Sequence, residues 1–252
     1  MNIDALHYRT GEPVRVTVED GLIAAIEPLE TQLTLEERAE LPLVAPGLVD
    51  LQINGYGGYD FNHPALSAAV VKEAVRAVWK EGVTGFYPTV ITGAPYTILG
   101  AMRAIARACE EDDASAATIK GIHLEGPFLS PEDGPRGAHA LEHIRPPDTA
   151  LFDQWQAAAG GRISLVTLSP EWEGSAEFIR HCVRQGDHRL YRAYVSGCRA
   201  DCRGGGRRSA AVHASGQWRP CHAAAPSELS VDPARRRGVV VHADRRRLPP
   251  PG

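Results

Sequence analysis

The stretch GIHLEGP, Gly121 to Pro127, sets one carboxylate, Glu125, at the end of a short apolar run and directly before a glycine–proline turn. An ionised Glu at the buried end of a strand is costly unless a cation compensates it. Two kinds of chemistry meet that need. Glu125 can ligate a divalent metal, as a carboxylate in a cleft is a candidate to do. It can instead sit in a buried ion pair, for which Arg136 and Lys120 are available. His139 follows in the glycine-rich loop GPRGAH, where a histidine taken alone is more often a surface group than a functional one. Upstream, in DLQINGYGG, Asp50, Gln52 and Asn54 share one strand face by the two-residue period.

Positioning these groups requires an ordered set of elements. PVRVTVEDGLIAAIEPL alternates apolar and polar residues and turns at Asp20-Gly21, which predicts a β-hairpin in a small β unit. ELPLVAPGLVDLQINGYGG is a short strand running into glycines. SAAVVKEAVRAVWKEGVTGFYPTV gives a helix and then a strand. YTILGAMRAIARACEE is a helix, TIKGIHLEG a strand, PDTALFDQWQAAAG a helix, RISLVTLSPE a strand and GSAEFIRHCVRQG a helix. Such alternation indicates βα units and a parallel sheet. In a βα barrel the site lies at the C-terminal strand ends, and four can be read: DLQINGYGG, FYPTVITG, HLEGP with Glu125, and VTLSPE with Glu171. The expected class is α/β, an incomplete (β/α)8 barrel behind a small β unit. The expected divisions are 1–45 for the small β unit, 46–185 for the first half of the barrel, and 186–252 for an Arg-rich tail.

The 252 residues are 43% hydrophobic and 23% charged, ordinary for a globular protein. No apolar run of about 18 residues appears, so no membrane span is expected, and the N-terminus reads as no secretory signal. Five Cys, an odd number, fit a reducing compartment, and a cytoplasmic location is expected. The net charge of −4 hides a split. Residues 1–185 carry 14 Lys and Arg against 26 Asp and Glu, a net of −12, whereas 186–252 carry 13 Arg and no Lys against 5 acids, a net of +8. Residues 186–252 also lack Ile, Phe, Met, Asn and Thr, so a tail without a packed core is expected. Several other residues read as structural. His123 packs or makes a structural hydrogen bond, His143 and His181 lie on surfaces, and Cys109 and Cys182 are buried thiols on helices.

APGLVDLQINGYGG, GVTGFYPTVIT, GIHLEGPFLS, RGAHALEHIRPP and VTLSPE, in that order and with barrel spacing, resemble the N-acetylglucosamine-6-phosphate deacetylases of the amidohydrolase superfamily over roughly residues 1–185. The resemblance implies a (β/α)8 barrel with a small β-sandwich portion, a divalent metal, zinc, held by Glu125, and contact of Ala138 and His139 with the N-acetyl group of a small phosphorylated amino sugar. It also implies a homodimer for the intact protein. Many amidohydrolases carry His-x-His on the first strand. Here Gln52-Ile53-Asn54 stands there, and neutral amides are poor zinc ligands beside imidazole, so the resemblance is to a one-metal subclass.

The family's two later metal histidines and its catalytic Asp find no counterpart in 186–252. A shifted reading frame accounts for this. Tyr191 to Val195 written TAT-CGG-GCA-TAC-GTN becomes, one base on, Ile-Gly-His-Thr. The same offset applied to His213–His222 yields Thr-His-Leu-Gly-Asn-Gly-Ala-His-Ala, and applied to Arg245–Pro250 yields Ala-Asp-Gly-Phe-His-Leu. The expectation is an amide hydrolase by family whose literal chain is inactive, with a non-functional fragment as the alternative. A third alternative takes Cys198, Cys202, His213, Cys221 and His222 among the arginines as a zinc-bound nucleic-acid element. Their spacing, C-x3-C-x10-H-x7-C-H, matches no regular finger and argues against a nucleic-acid partner.

Overall fold

The computed structural model describes residues 1–169, 171–185, 192–196 and 209–212. Two compact units divide the described residues, Met1–Leu48 and those from Val49 onward.

In the first unit, β1 (Asn2–His7), β2 (Pro13–Glu19), β3 (Leu22–Pro28) and β4 (Leu43–Val44) form one sheet in the order β3-β2-β1-β4. β1–β2 and β2–β3 are antiparallel and β1–β4 parallel. The β2–β3 turn is made by Asp20 and Gly21 with φ of 50° and 77°, the positive dihedrals that a two-residue hairpin of matching twist requires. The β-sandwich portion expected here corresponds, among the described residues, to this single four-stranded sheet. Helix α1 (Leu35–Glu40) starts on a capping box. Thr34 accepts from the Glu37 amide, and the Glu37 carboxylate accepts from the Thr34 amide.

The second unit is built on a six-stranded sheet. Its strands are β5 (Leu48–Ile53), β8 (Val83–Ile91), β9 (Ile122–Glu125), β10 (Ile163–Leu168), β11 (Arg192–Ser196) and β12 (Ser209–Val212), in the order β12-β11-β10-β9-β8-β5. A two-stranded ribbon, β6 (Gly55–Tyr56) with β7 (Tyr59–Asp60), follows β5. β8, β9, β10 and β11 run parallel, and β12 is antiparallel to β11. The crossovers are α2 (Ala68–Trp79), then α3 (Pro95–Glu111) with the short α4 (Asp113–Thr118), then α5 (Thr149–Ala158), then α6 (Ser175–Gln185). The sheet therefore continues past Gln185, where composition alone predicted a tail without a packed core. The other residues of that tail, including Cys198, Cys202, Cys221, His213 and His222, lie outside the described residues.

Side-chain alternation divides the sheet between two environments. Phe86, Val90, Ile122, Leu124, Val166 and Leu168 belong to the main apolar core. That core also takes in the helix positions Val71, Val75 and Val78 of α2, Ile98, Met102 and Ile105 of α3, Phe152 and Trp155 of α5, and Phe178 of α6. The spacing of three and four on each helix is the stripe that faces a sheet. Phe128 packs against Trp155 and edge-on against Phe178, with ring centroids 6.0 and 4.9 Å apart. The Trp155 indole donates to the Pro95 carbonyl at 3.2 Å, so its one polar atom is satisfied in the core. The opposite strand face carries Thr89 and Ile91, His123 and Glu125, and Leu165 and Thr167, which pair in register across β8, β9 and β10.

Candidate functional site

Three parallel strands bring their polar residues to one place because the ladder aligns them. Thr89 is opposite His123 and Ile91 opposite Glu125 on one side; Thr167 is opposite Glu125 on the other. β9 is only four residues long and stops at Glu125 because Gly126 takes φ 84°. A side chain at 126 would put its Cβ 2.1 Å from Thr92 Oγ1, so the turn admits only glycine. Thr92 Oγ1 itself donates to the Glu125 carbonyl at 3.4 Å, and the Gly126 amide donates to the Thr167 carbonyl at 3.1 Å. The carboxylate is thus fixed at the C-terminal end of its strand, half-buried.

Gln52 reaches Glu125. Its Nε2 donates to Glu125 Oε2 at 3.0 Å, across 73 residues of sequence. Asp50 turns its carboxylate back on the chain, where Oδ1 accepts from the Gln52 amide. Asn54 is exposed and contributes its carbonyl, which accepts from the Phe61 amide at 3.0 Å. Beside this strand lies a cavity of ≈ 390 Å³ whose lining includes Asp50, Gln52, Asn54, Tyr56 and Glu81. A hydrogen bond to Glu81 raises the Tyr56 phenol above its usual range.

The two cations available for a buried ion pair are engaged elsewhere. Lys120 Nζ donates to the Ala117 carbonyl, and Arg136 donates to the His139 carbonyl at 2.9 Å and pairs with Asp133. His139 is half-buried in the loop between β9 and α5, and its Nδ1 is buried with no hydrogen-bond partner among the described residues. Ala138 beside it is exposed. Glu171 lies exposed beyond β10.

Two parts of the site carry no strong sequence signal. His123 is 4% exposed and bonds on both ring nitrogens, Nε2 to Thr167 Oγ1 at 2.8 Å and Nδ1 to Thr89 Oγ1 at 3.4 Å. Burial lowers its pKa to about 4, so the ring is neutral at pH 7. The sequence reads this residue as packing or making a structural hydrogen bond, and its place on the Glu125 face becomes apparent only when the two-residue period is applied to β9. Asn62 clasps the end of β8: Nδ2 donates to the Thr89 carbonyl at 3.0 Å, and Oδ1 accepts from the Ile91 amide at 2.8 Å. Nothing in the local sequence distinguishes that Asn from an ordinary loop residue.

The profile of the amidohydrolase family matches residues 43–194. This chain belongs to the amidohydrolase family. Among similar amidohydrolases, N-acetylglucosamine-6-phosphate deacetylase of Bacillus subtilis (strain 168) is 35% identical over 171 residues, which make up 66% of this chain and 42% of that protein. N-acetylgalactosamine-6-phosphate deacetylase of Escherichia coli O157:H7 is 34% identical over 171 residues, 68% of this chain and 43% of that protein. The crystal structure of N-acetyl-D-glucosamine-6-phosphate deacetylase from Mycobacterium smegmatis matches with a TM-score of 0.58 and 26% identity, over 74% of this chain and 52% of that one. The chain spans less than half the length of these curated relatives.

Amidohydrolases are metal-dependent, and a catalytic zinc takes about three protein ligands and an open position. Among the described residues no group of three His, Cys, Asp or Glu is disposed to hold a metal. Among the described residues, the hydrogen-bond partner of the Glu125 carboxylate is the neutral amide of Gln52. The described residues do not by themselves fit a catalytic metal.

Proposed function

We propose that this chain is the first part of a metal-dependent deacetylase acting on an N-acetylated hexosamine 6-phosphate, N-acetylglucosamine 6-phosphate in the first place. We further propose that the rest of its active site is encoded one reading frame away. The observation that carries this reading is the geometry of Glu125, an anionic oxygen donor at the C-terminal end of a parallel strand, steadied on one oxygen by Gln52. The relatives' names support the substrate class. Their difference at one sugar epimer leaves both glucosamine and galactosamine forms to be tried.

The strand register supports the frame shift. β11 lies parallel to β10, with Ala193 opposite Val166 and Tyr194 opposite Thr167, and Thr167 is opposite Glu125. In the shifted frame the histidine codon straddles those of Ala193 and Tyr194. A histidine there stands level with Glu125, two strands away in the ladder, where a second ligand is needed. In the complete enzyme one divalent cation, zinc by family, would be held in part by Glu125 and would supply polarisation of the amide carbonyl. Within this chain, Gln52 orients the carboxylate, and His139 Nδ1, without a hydrogen-bond partner among the described residues, is the group offered to the acetamide beside Ala138. Strands β5, β8, β9 and β10, all within residues 46–185, are the opening part of a (β/α)8 barrel, the first unit belongs to a small β-sandwich, and the complete enzyme is a homodimer.

The test compares the purified 252-residue chain with the product of a gene restored to one frame near Gln185. Acetate release from both 6-phosphate epimers is measured. The literal chain is expected to match a mock purification, and the restored protein to turn over. Turnover by the literal chain refutes the frame-shift reading; an inert restored protein that is folded and metal-loaded refutes the deacetylase reading.

A further inference from the structure

The three side chains flanking Glu125 on its own sheet face have a hydrogen-bond arrangement that can be solved. His123 lies between Thr89 and Thr167, and all three are buried. A ring so placed, with two hydroxyls and no carboxylate against it, is uncharged, so one nitrogen carries a proton and the other accepts one. Thr89 Oγ1 donates to the Tyr87 carbonyl at 3.3 Å. Its proton is thereby committed, and towards His123 Nδ1 at 3.4 Å it acts as acceptor. Nδ1 then carries the ring proton, and Nε2 accepts from the Thr167 hydroxyl at 2.8 Å. Every hydrogen in the chain has an acceptor. The opposite tautomer makes Nε2 the donor, takes the Nδ1 proton out of its bond to Thr89 and turns the Thr167 hydroxyl proton away from the ring, towards its register partner Glu125.

Thr167 is the register partner of Glu125 on the neighbouring strand, and both point to the same face. We propose that His123 is a positioning residue, held as the Nδ1–H tautomer, that draws the Thr167 hydroxyl proton to itself and so keeps it from capping the Glu125 carboxylate. With Oε2 bound by Gln52, the other carboxylate oxygen stays without a donor among the described residues. The significance of that free oxygen rests on the reading of Glu125 as a cation-holding residue; the tautomer itself does not.

The full chain, labelled with ¹⁵N at histidine, decides the matter at neutral pH. Two-bond ¹⁵N–¹H correlations distinguish a protonated nitrogen from a bare one in each ring. The His123 signals are identified by their loss in His123→Asn, or by their displacement in Thr167→Val should the first variant fail to fold. The expected spectrum has a protonated Nδ1 and a bare Nε2 in slow exchange. In Thr167→Val, the Nε2 signal should move towards that of an acceptor without a donor, and Nδ1–H should persist. An Nε2–H ring, an averaged pair of nitrogens, or an Nε2 signal that ignores the loss of the Thr167 hydroxyl overturns the proposal. None of these outcomes depends on metal binding or turnover, so failure here is separable from failure of the deacetylase reading.

Discussion

Gln52 and Glu125 show how a carboxylate is held without a counter-ion. One amide hydrogen bond fixes Oε2 and adds no charge, so the anion keeps its capacity to bind a cation. In the frame-restored protein, Glu125→Gln is expected to remove most bound metal and, with it, most activity. Gln keeps the shape and a carbonyl oxygen but loses the charge that a divalent cation favours. Metal analysis of purified variants reads this directly, and a full complement in Glu125→Gln would mean that the residue is structural. His139→Asn is expected to leave metal content near normal and to lower kcat/KM, because His139 Nδ1 has no hydrogen-bond partner among the described residues and is assigned to the substrate's acetamide rather than to the cation. Glu125 stood out in the sequence because a lone charge closes an apolar run. Gln52 was placed on the right face by strand period, but the period cannot say which of Asp50, Gln52 and Asn54 reaches across to β9. That depends on strand order and register, which tertiary packing decides. The clasp by Asn62 is likewise a product of the chain's path and not of local pattern.

Helices and strands whose apolar spacing is regular match their expected positions. α2, α3, α5 and α6 each bury a stripe at three- and four-residue intervals, and the Asp20-Gly21 turn has the dihedrals that its residues favour. The short elements escaped. α1 and α4 are six residues each, too short for a periodic signal, and are marked only by their caps, Thr34 with Glu37 and Asp112 with Ser115. β11 was hidden because composition averaged over 67 residues from Gly186 to Gly252 masks five that suit a strand. Two predictions test how the helices are held. Trp155, 1% exposed and packed on Phe128, should cost about 3–5 kcal/mol when changed to Ala, measured by denaturant unfolding. Glu111 ties α3 to α2 through Lys72 and pairs with Arg107 on its own helix; these hydrogen bonds lower its pKa to about 2 from 4.5. A depressed carboxylate stabilises the fold above its unfolded pKa, and the contribution disappears as pH falls through the folded value. The Tm difference between wild type and Glu111→Gln should therefore be largest above about pH 5 and shrink steadily between pH 4.5 and 2. A difference independent of pH in that window would assign the effect to packing.

A sheet that ends on an apolar strand carries a liability that the whole molecule must manage. β5 is the terminal strand of the six among the described residues, and Leu48, Val49 and Leu51 are 61%, 59% and 48% exposed. Natural edge strands are blunted with charge, especially Lys, because an open row of backbone donors and acceptors templates pairing with another chain. β5 has one charge, Asp50, whose carboxylate is occupied with the Gln52 amide. Concentration-dependent association is the expected behaviour of the literal chain, and Leu51→Lys should reduce it in light scattering. Because Leu51 is half-exposed, the same change should move stability by no more than about 0.5 kcal/mol. In the frame-restored protein the stability effect should instead be clearly unfavourable. A closed barrel has no edge, so Leu51 there is covered, edge-driven association beyond the dimer is absent at the start, and Leu51→Lys lowers Tm by burying an unpaired charge. If Leu51→Lys acts alike in the two proteins, β5 is not a barrel strand awaiting closure, and the half-barrel account of this chain fails as a whole.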